Sequence, residues 1–252
     1  MKWIFLRGGI ALSVVVMNLA ACTPVPVEKS RQAESHYIMG VSALQERNPT
    51  MALKDFLKAE SFDPKRADIQ NGLGQAYQLK KSYALAERHY LNAVELQPED
   101  PRFSNNLGAL YLDMGEWDKA IASFQKAAGS LFFNSPEVAL TGIGVAWFHK
   151  GDRDQALSYY RRALEEKRTY PNAYYYMGEL YRNKGDYSRA KENYRRAVEL
   201  APNYAMAHHS LGLVLLEEGA FAEARTAFQK VVALAPDSEI GEEARRLLIT
   251  IP

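Results

Sequence analysis

The chain has 252 residues, 47% of them hydrophobic, enough apolar material to bury a sizeable core. Its 31 Lys plus Arg are balanced by 30 Asp plus Glu, without the basic excess of a nucleic-acid binder, so no nucleic-acid partner is expected. The single cysteine, Cys22, excludes an internal disulfide.

Lys2 and Arg7 open the chain with positive charge, and Gly8 to Ala21 follows as an apolar run ending in small residues. That layout predicts a secretory signal peptide over residues 1–21; the run is shorter than the roughly 20 residues a spanning helix needs. Leu19-Ala20-Ala21-Cys22 resembles the lipobox of bacterial lipoproteins. The resemblance implies cleavage before Cys22 and acylation of that cysteine, with chains such as palmitate. The alternative is an ordinary cleavage site with a cysteine nearby. In this lipoprotein class an Asp after the cysteine commonly retains the protein at the inner membrane. Thr23 stands there instead, so the expectation is a lipid-anchored protein of the outer membrane facing the periplasm. Residues 22–32, with Pro24 and Pro26 opposing helix, are expected to form an extended tether.

From residue 33 the chain repeats itself. In Pro171 to Tyr204, Tyr174, Met177, Gly178 and Tyr181 recur at helical spacing, as do Ala190, Tyr194 and Ala197. Gly178 and Ala190 are small where two helices meet, and Tyr194 fills the space beside them. Gly185 suits a left-handed turn after the first helix, and Pro202 ends the second. These positions resemble the tetratricopeptide repeat (TPR) signature. The same register gives repeats 33–66, 67–100, 101–134, 137–170, 171–204 and 205–238. The corresponding glycines, Gly40, Gly74, Gly108, Gly144, Gly178 and Gly212, keep one spacing except between the third and fourth repeats, where two residues are added. Within 239–252, Glu239 to Ile249 is expected to form one more helix, with Ile240, Ala244, Leu247 and Leu248 inward, capping the open end. The implied fold is all-α: a TPR α-solenoid of six helix pairs plus a C-terminal capping helix.

Signatures of chemistry are absent from the sequence. His36 and His208 occupy a packing position, and His208 and His209 point about 100° apart on one helix, poor geometry for a shared metal. No HExxH, phosphate loop or nucleophile elbow occurs. The expectation is a protein without catalytic residues, metal, cofactor or small-molecule substrate.

Such an array offers instead a concave face lined by the first helix of each pair. The candidate groove residues are Tyr37, Asn71, Gln75, Asn105, Thr141, Phe148, Tyr175, Glu179, Arg182 and His209, flanked by Val41, Leu44, Asp113 and Leu213. Asn and Gln can bond a peptide backbone in both directions, and exposed aromatics can anchor a partner. The tyrosines are also suited to packing between repeats, which is the favoured role for any single one. Tyr37 and Val41 stand where a chaperone-type carboxylate clamp would place Lys and Asn, which disfavours that ligand.

The irregular junction Ala128 to Pro136 carries Leu131, Phe132 and Phe133. These three form either a partner patch or a cover folded back over the preceding helix. The second is favoured, because a longer turn must cover the helix ends it exposes. The lipobox, the tether, about six repeats, Asn105-Asn106-Leu107-Gly108 and the Leu-Phe-Phe…Pro junction together resemble the type IV pilus biogenesis lipoproteins called pilotins. The resemblance implies an outer-membrane adaptor that binds subunits of the pilus secretin and promotes their localisation and multimer assembly. Only Cys22 takes a defined role from it. The alternatives are a TPR lipoprotein recruiting peptidoglycan hydrolases or synthases and, in another class, a peptidoglycan-processing enzyme.

Overall fold

The computed structural model describes residues 27–251; the expected signal peptide, Cys22 and the first tether residues lie outside them. Among the described residues there are thirteen helices and no strands. Six pairs run in order: α1 (Val27–Gln45) with α2 (Pro49–Phe62), α3 (Ala67–Leu79) with α4 (Tyr83–Leu96), α5 (Pro101–Met114) with α6 (Trp117–Ala128). Then come α7 (Pro136–His149) with α8 (Arg153–Glu166), α9 (Pro171–Asn183) with α10 (Tyr187–Leu200), and α11 (Ala205–Glu217) with α12 (Phe221–Leu234). Helix α13 (Glu239–Thr250) closes the array, with Ala244 buried and Ile240, Leu247 and Leu248 packed on the last core cluster.

Local chemistry sets the helix ends. Proline takes the first position of α2, α5, α7 and α9, where its missing N–H would have no helical partner. Side chains of Asn48, Asp100, Asp152, Asp186 and Ser238 accept backbone N–H groups at helix starts, at 3.0–3.2 Å. The turn inside every pair passes through a left-handed residue: Gly115, Gly151, Gly185 and Gly219 in four, Arg47 and Lys81 in the first two.

Within each pair an aromatic ring from the second helix meets a glycine of the first. A Cβ on Gly178 would lie 2.5 Å from the Tyr194 ring, and one on Gly74 2.7 Å from that of Tyr90. Contact this close leaves no room for a methyl group, so the small residue is a packing requirement. Tyr90, Tyr160, Tyr194, Phe56 and Phe228 are fully buried as a result.

First helices of successive pairs touch one another, as in α3 with α5, α5 with α7 and α7 with α9, whereas no two second helices do. The first helices therefore form the inner row of the solenoid.

The N-terminal boundary differs from the sequence expectation. Val27 to Gln32, expected in an extended tether, are the opening turns of α1. Pro26 is the last residue there that opposes helix, and Glu28 accepts from both Arg31, at 2.9 Å, and Gln32, at 3.3 Å.

Candidate protein-binding groove

The inner row falls into two parts of different chemistry. Toward the N-terminal side, a cleft of about 380 Å³ opens between the first three inner helices, lined by Leu44, Gln75, Gln78, Leu79, Asn106 and Asp113 among others. Its polar groups are largely held in place: Asn106 Nδ2 donates to Asn71 Oδ1 at 2.8 Å, Gln78 Nε2 donates to Asp113 Oδ2 at 2.7 Å, and the Tyr90 hydroxyl donates to Gln78 Oε1 at 2.8 Å. The side-chain amide of Gln75 has no partner among the described residues, so both its donor and its acceptor face the cleft.

Tyr37, at the entrance of the row, is half-buried; its ring tilts against Phe56, and the Arg66 guanidinium lies 4.7 Å from its centroid. Burial raises the pKa of its hydroxyl.

The C-terminal half is aromatic and ionic. Glu179 is its hub: Oε1 accepts from the Tyr194 hydroxyl at 2.6 Å and from Ser210 Oγ at 2.8 Å, and Oε2 accepts from Arg182 Nη2 at 2.7 Å. These bonds hold α9, α10 and α11 together. Arg182 keeps 42% of its side chain exposed, and its bond to Glu179 raises its pKa, so it presents a fixed positive charge to the groove. Burial, reinforced by the nearby Glu179 charge, pushes the Tyr175 hydroxyl up to about 12. Tyr175 meets Tyr176 edge-on at 5.1 Å and tilts against Tyr204 at the same distance.

Three of the expected groove residues are therefore not on an open surface. Thr141, Tyr175 and His209 are exposed by only 3%, 7% and 9%. All three stand at the fifth position of their repeats, on an inner helix, which the close approach of neighbouring inner helices turns into the seam between repeats. His209 Nε2 lies 3.1 Å from Glu243 Oε2 of the capping helix, placing it in the seal at that end. Asn105 is half-buried with Oδ1 unpartnered, and Phe148 is half-buried with its ring edge-on to His149. Gln78 and Asn106, which line the cleft beside Gln75, were not singled out in the sequence. Gln78 lies at the same helix position as Leu44 and Arg182, a signal that could have found it; Asn106 carried none.

The junction also departs from the favoured expectation. Phe133 is half-buried against the cluster around Phe124, but Leu131 and Phe132 are 98% and 82% exposed. Phe132 and Phe133 wall a cleft of about 660 Å³ with Pro98 and Pro101. Among the described residues no His, Cys, Asp or Glu cluster could hold a metal, and no helix is long and apolar enough to cross a membrane.

Paired helices in register, an inner row with a polar cleft and a charged aromatic half define a helical-repeat scaffold. The tetratricopeptide repeat family model matches residues 37–101, 81–139, 110–173 and 175–239, and the chain belongs to that family. In structure it is similar to PilF of Pseudomonas aeruginosa, with a TM-score of 0.68 and 19% identity over 87% of this chain and 99% of that one. It is also similar to PilW, described as a widely conserved type IV pilus biogenesis factor, with a TM-score of 0.71 and 18% identity over 84% and 98%. Among curated proteins, subunit 6 of the anaphase-promoting complex of Arabidopsis thaliana is 32% identical over 36% of this chain and 18% of its own length. The BBSome member BBS4 of Bos taurus is 26% identical over 62% and 30%. The chain thus spans under a third of the length of these curated relatives.

Proposed function

We propose that the chain is a non-catalytic, lipid-anchored adaptor that holds a protein client in its inner groove, and that this client is the type IV pilus secretin. The observation that carries the reading is extent: the likeness to PilF and PilW takes in nearly the whole of both those chains, with little left over on either side. Stacked helix pairs with a groove along their inner row act by holding a partner. The groove offers the free amide of Gln75 and the fixed charge of Arg182 to a client segment. Acyl chains on Cys22 supply the address at the outer membrane. Holding the client there raises its effective concentration for assembly without any covalent step.

The test is whether heat-resistant secretin multimers form in the outer membrane when the gene is deleted and then restored. Loss and recovery support the reading. Multimers unchanged by the deletion overturn the secretin assignment and point to cell-wall enzymes as clients.

A further inference from the structure

The turn between α6 and α7 projects two large apolar side chains into solvent, and its surroundings decide what they fit. The ten residues 127–136, Ala-Ala-Gly-Ser-Leu-Phe-Phe-Asn-Ser-Pro, contain no charge. Other turns on this edge carry charge at Lys65 and Arg66, Glu99 and Asp100, or Lys167 and Arg168, and the uncharged turn after α10 exposes only Pro202 and Asn203. The tip is also fixed in shape. Ser130 N–H donates to Ala127 O at 3.1 Å, Phe133 N–H to Ser130 O at 3.1 Å, and Phe132 N–H to Ser130 Oγ at 3.3 Å. Phe133 turns inward as the root, which directs Leu131 and Phe132 outward.

Topology gives the tip its neighbour. Helices alternate in direction along the array, so every odd-numbered helix begins on the same edge. That edge holds the turn between α6 and α7 and also Val27, where α1 begins and the preceding 26 residues join. Those residues include the apolar run Gly8 to Ala21 and Cys22.

We propose that Leu131 and Phe132 form a membrane-contact tip that enters the lipid interface on the edge from which the chain is anchored. This inference rests on the anchoring part of the proposed function. Two side chains are far too small for a stable protein interface, which takes about 20–30 residues a side. They suit a lipid surface: Glu99, Asp100 and Arg102 line the cleft beside Phe132, but the turn itself carries no charge into the interface, and a second weak attachment adds to the first. A second attachment also fixes the rotation of the array, so that the groove is held at one orientation to the bilayer.

The test uses the full chain purified from membranes and reconstituted into vesicles of phosphatidylethanolamine and phosphatidylglycerol. An apolar carbene precursor dissolved in the bilayer is photolysed and the labelled residues are mapped. Ile249 and Leu79 serve as internal controls, being exposed apolar residues at helix ends on the opposite edge. Label at 131–132 is expected on the order of tenfold above the controls, because the reagent concentrates in hydrocarbon. The double variant Leu131→Ser, Phe132→Ser should bring it down to their level with the melting temperature unchanged. A chain that stays with the vesicles but is labelled at 131–132 no more than at Ile249 overturns the tip and leaves anchoring intact. A chain recovered only in the supernatant overturns both.

Discussion

Gly142 in α7 lies so close to Phe124 in α6 that a Cβ on it would sit 2.5 Å from the ring's Cζ. Gly108 of α5 closes the ring's other side, where a Cβ would be 2.8 Å away. The ring is thus slotted between helices of successive repeats, and it crosses the one place where the repeat spacing changes. Gly142→Ala should therefore lower stability by about 1–3 kcal/mol through overpacking, read as a fall in the thermal midpoint. An unchanged melt would mean that the slot does not exist.

Phe124→Ala removes the ring from the same slot and should cost about 3–5 kcal/mol. The two substitutions share one space, so the double variant should lose less than the sum of the single losses. Strict additivity in denaturant melts would show that the two residues do not meet.

The first two repeats place Arg47 and Lys81 at left-handed φ values of 55° and 57°, where the other four have glycine. That backbone costs an L-residue roughly 1–2 kcal/mol, partly offset by the greater chain entropy glycine loses on folding. Lys81→Gly is expected to raise stability by about 0.5–1 kcal/mol. A lower midpoint in urea unfolding would contradict this.

Gln75 is half-buried in the cleft with its amide unpartnered, so its removal leaves no internal group orphaned. Gln75→Ala should weaken binding of the proposed client, the secretin, by about tenfold, equivalent to about 1.4 kcal/mol, while the melt shifts by less than about 0.5 kcal/mol. Titration calorimetry with the periplasmic part of the secretin reads the first and a thermal scan the second; equal affinity would remove Gln75 from the site.

His89 is buried, with Nδ1–H donating to Gln70 Oε1 at 2.8 Å and Tyr77 stacked on its ring. Burial lowers its pKa below the ordinary 6.5, and the nearby Arg88 adds to this against an opposing pull from Glu60. A histidine held neutral in the fold contributes stability that is fully present above pH 6.5 and is lost as pH falls toward its folded pKa. The midpoint should therefore drop between pH 7 and pH 5, and His89→Gln should flatten that slope. The same slope in the variant would assign the acid sensitivity elsewhere.

The sequence by itself determined the period, the pairing of helices and the match of small residue to aromatic ring. Each arises within one repeat or between nearest neighbours, so 34 residues of pattern carry the whole of it. Tertiary structure decided which inner-helix positions face a partner. The seam between inner helices buried Thr141, Tyr175 and His209, because successive inner helices touch one another whereas the second helices do not, while Gln75 and Arg182 stayed open. The junction, too, was settled only in three dimensions. Its composition allowed a cover or a projection, and the hydrogen bonds at Ser130, with Phe133 as the inward root, left Leu131 and Phe132 in solvent.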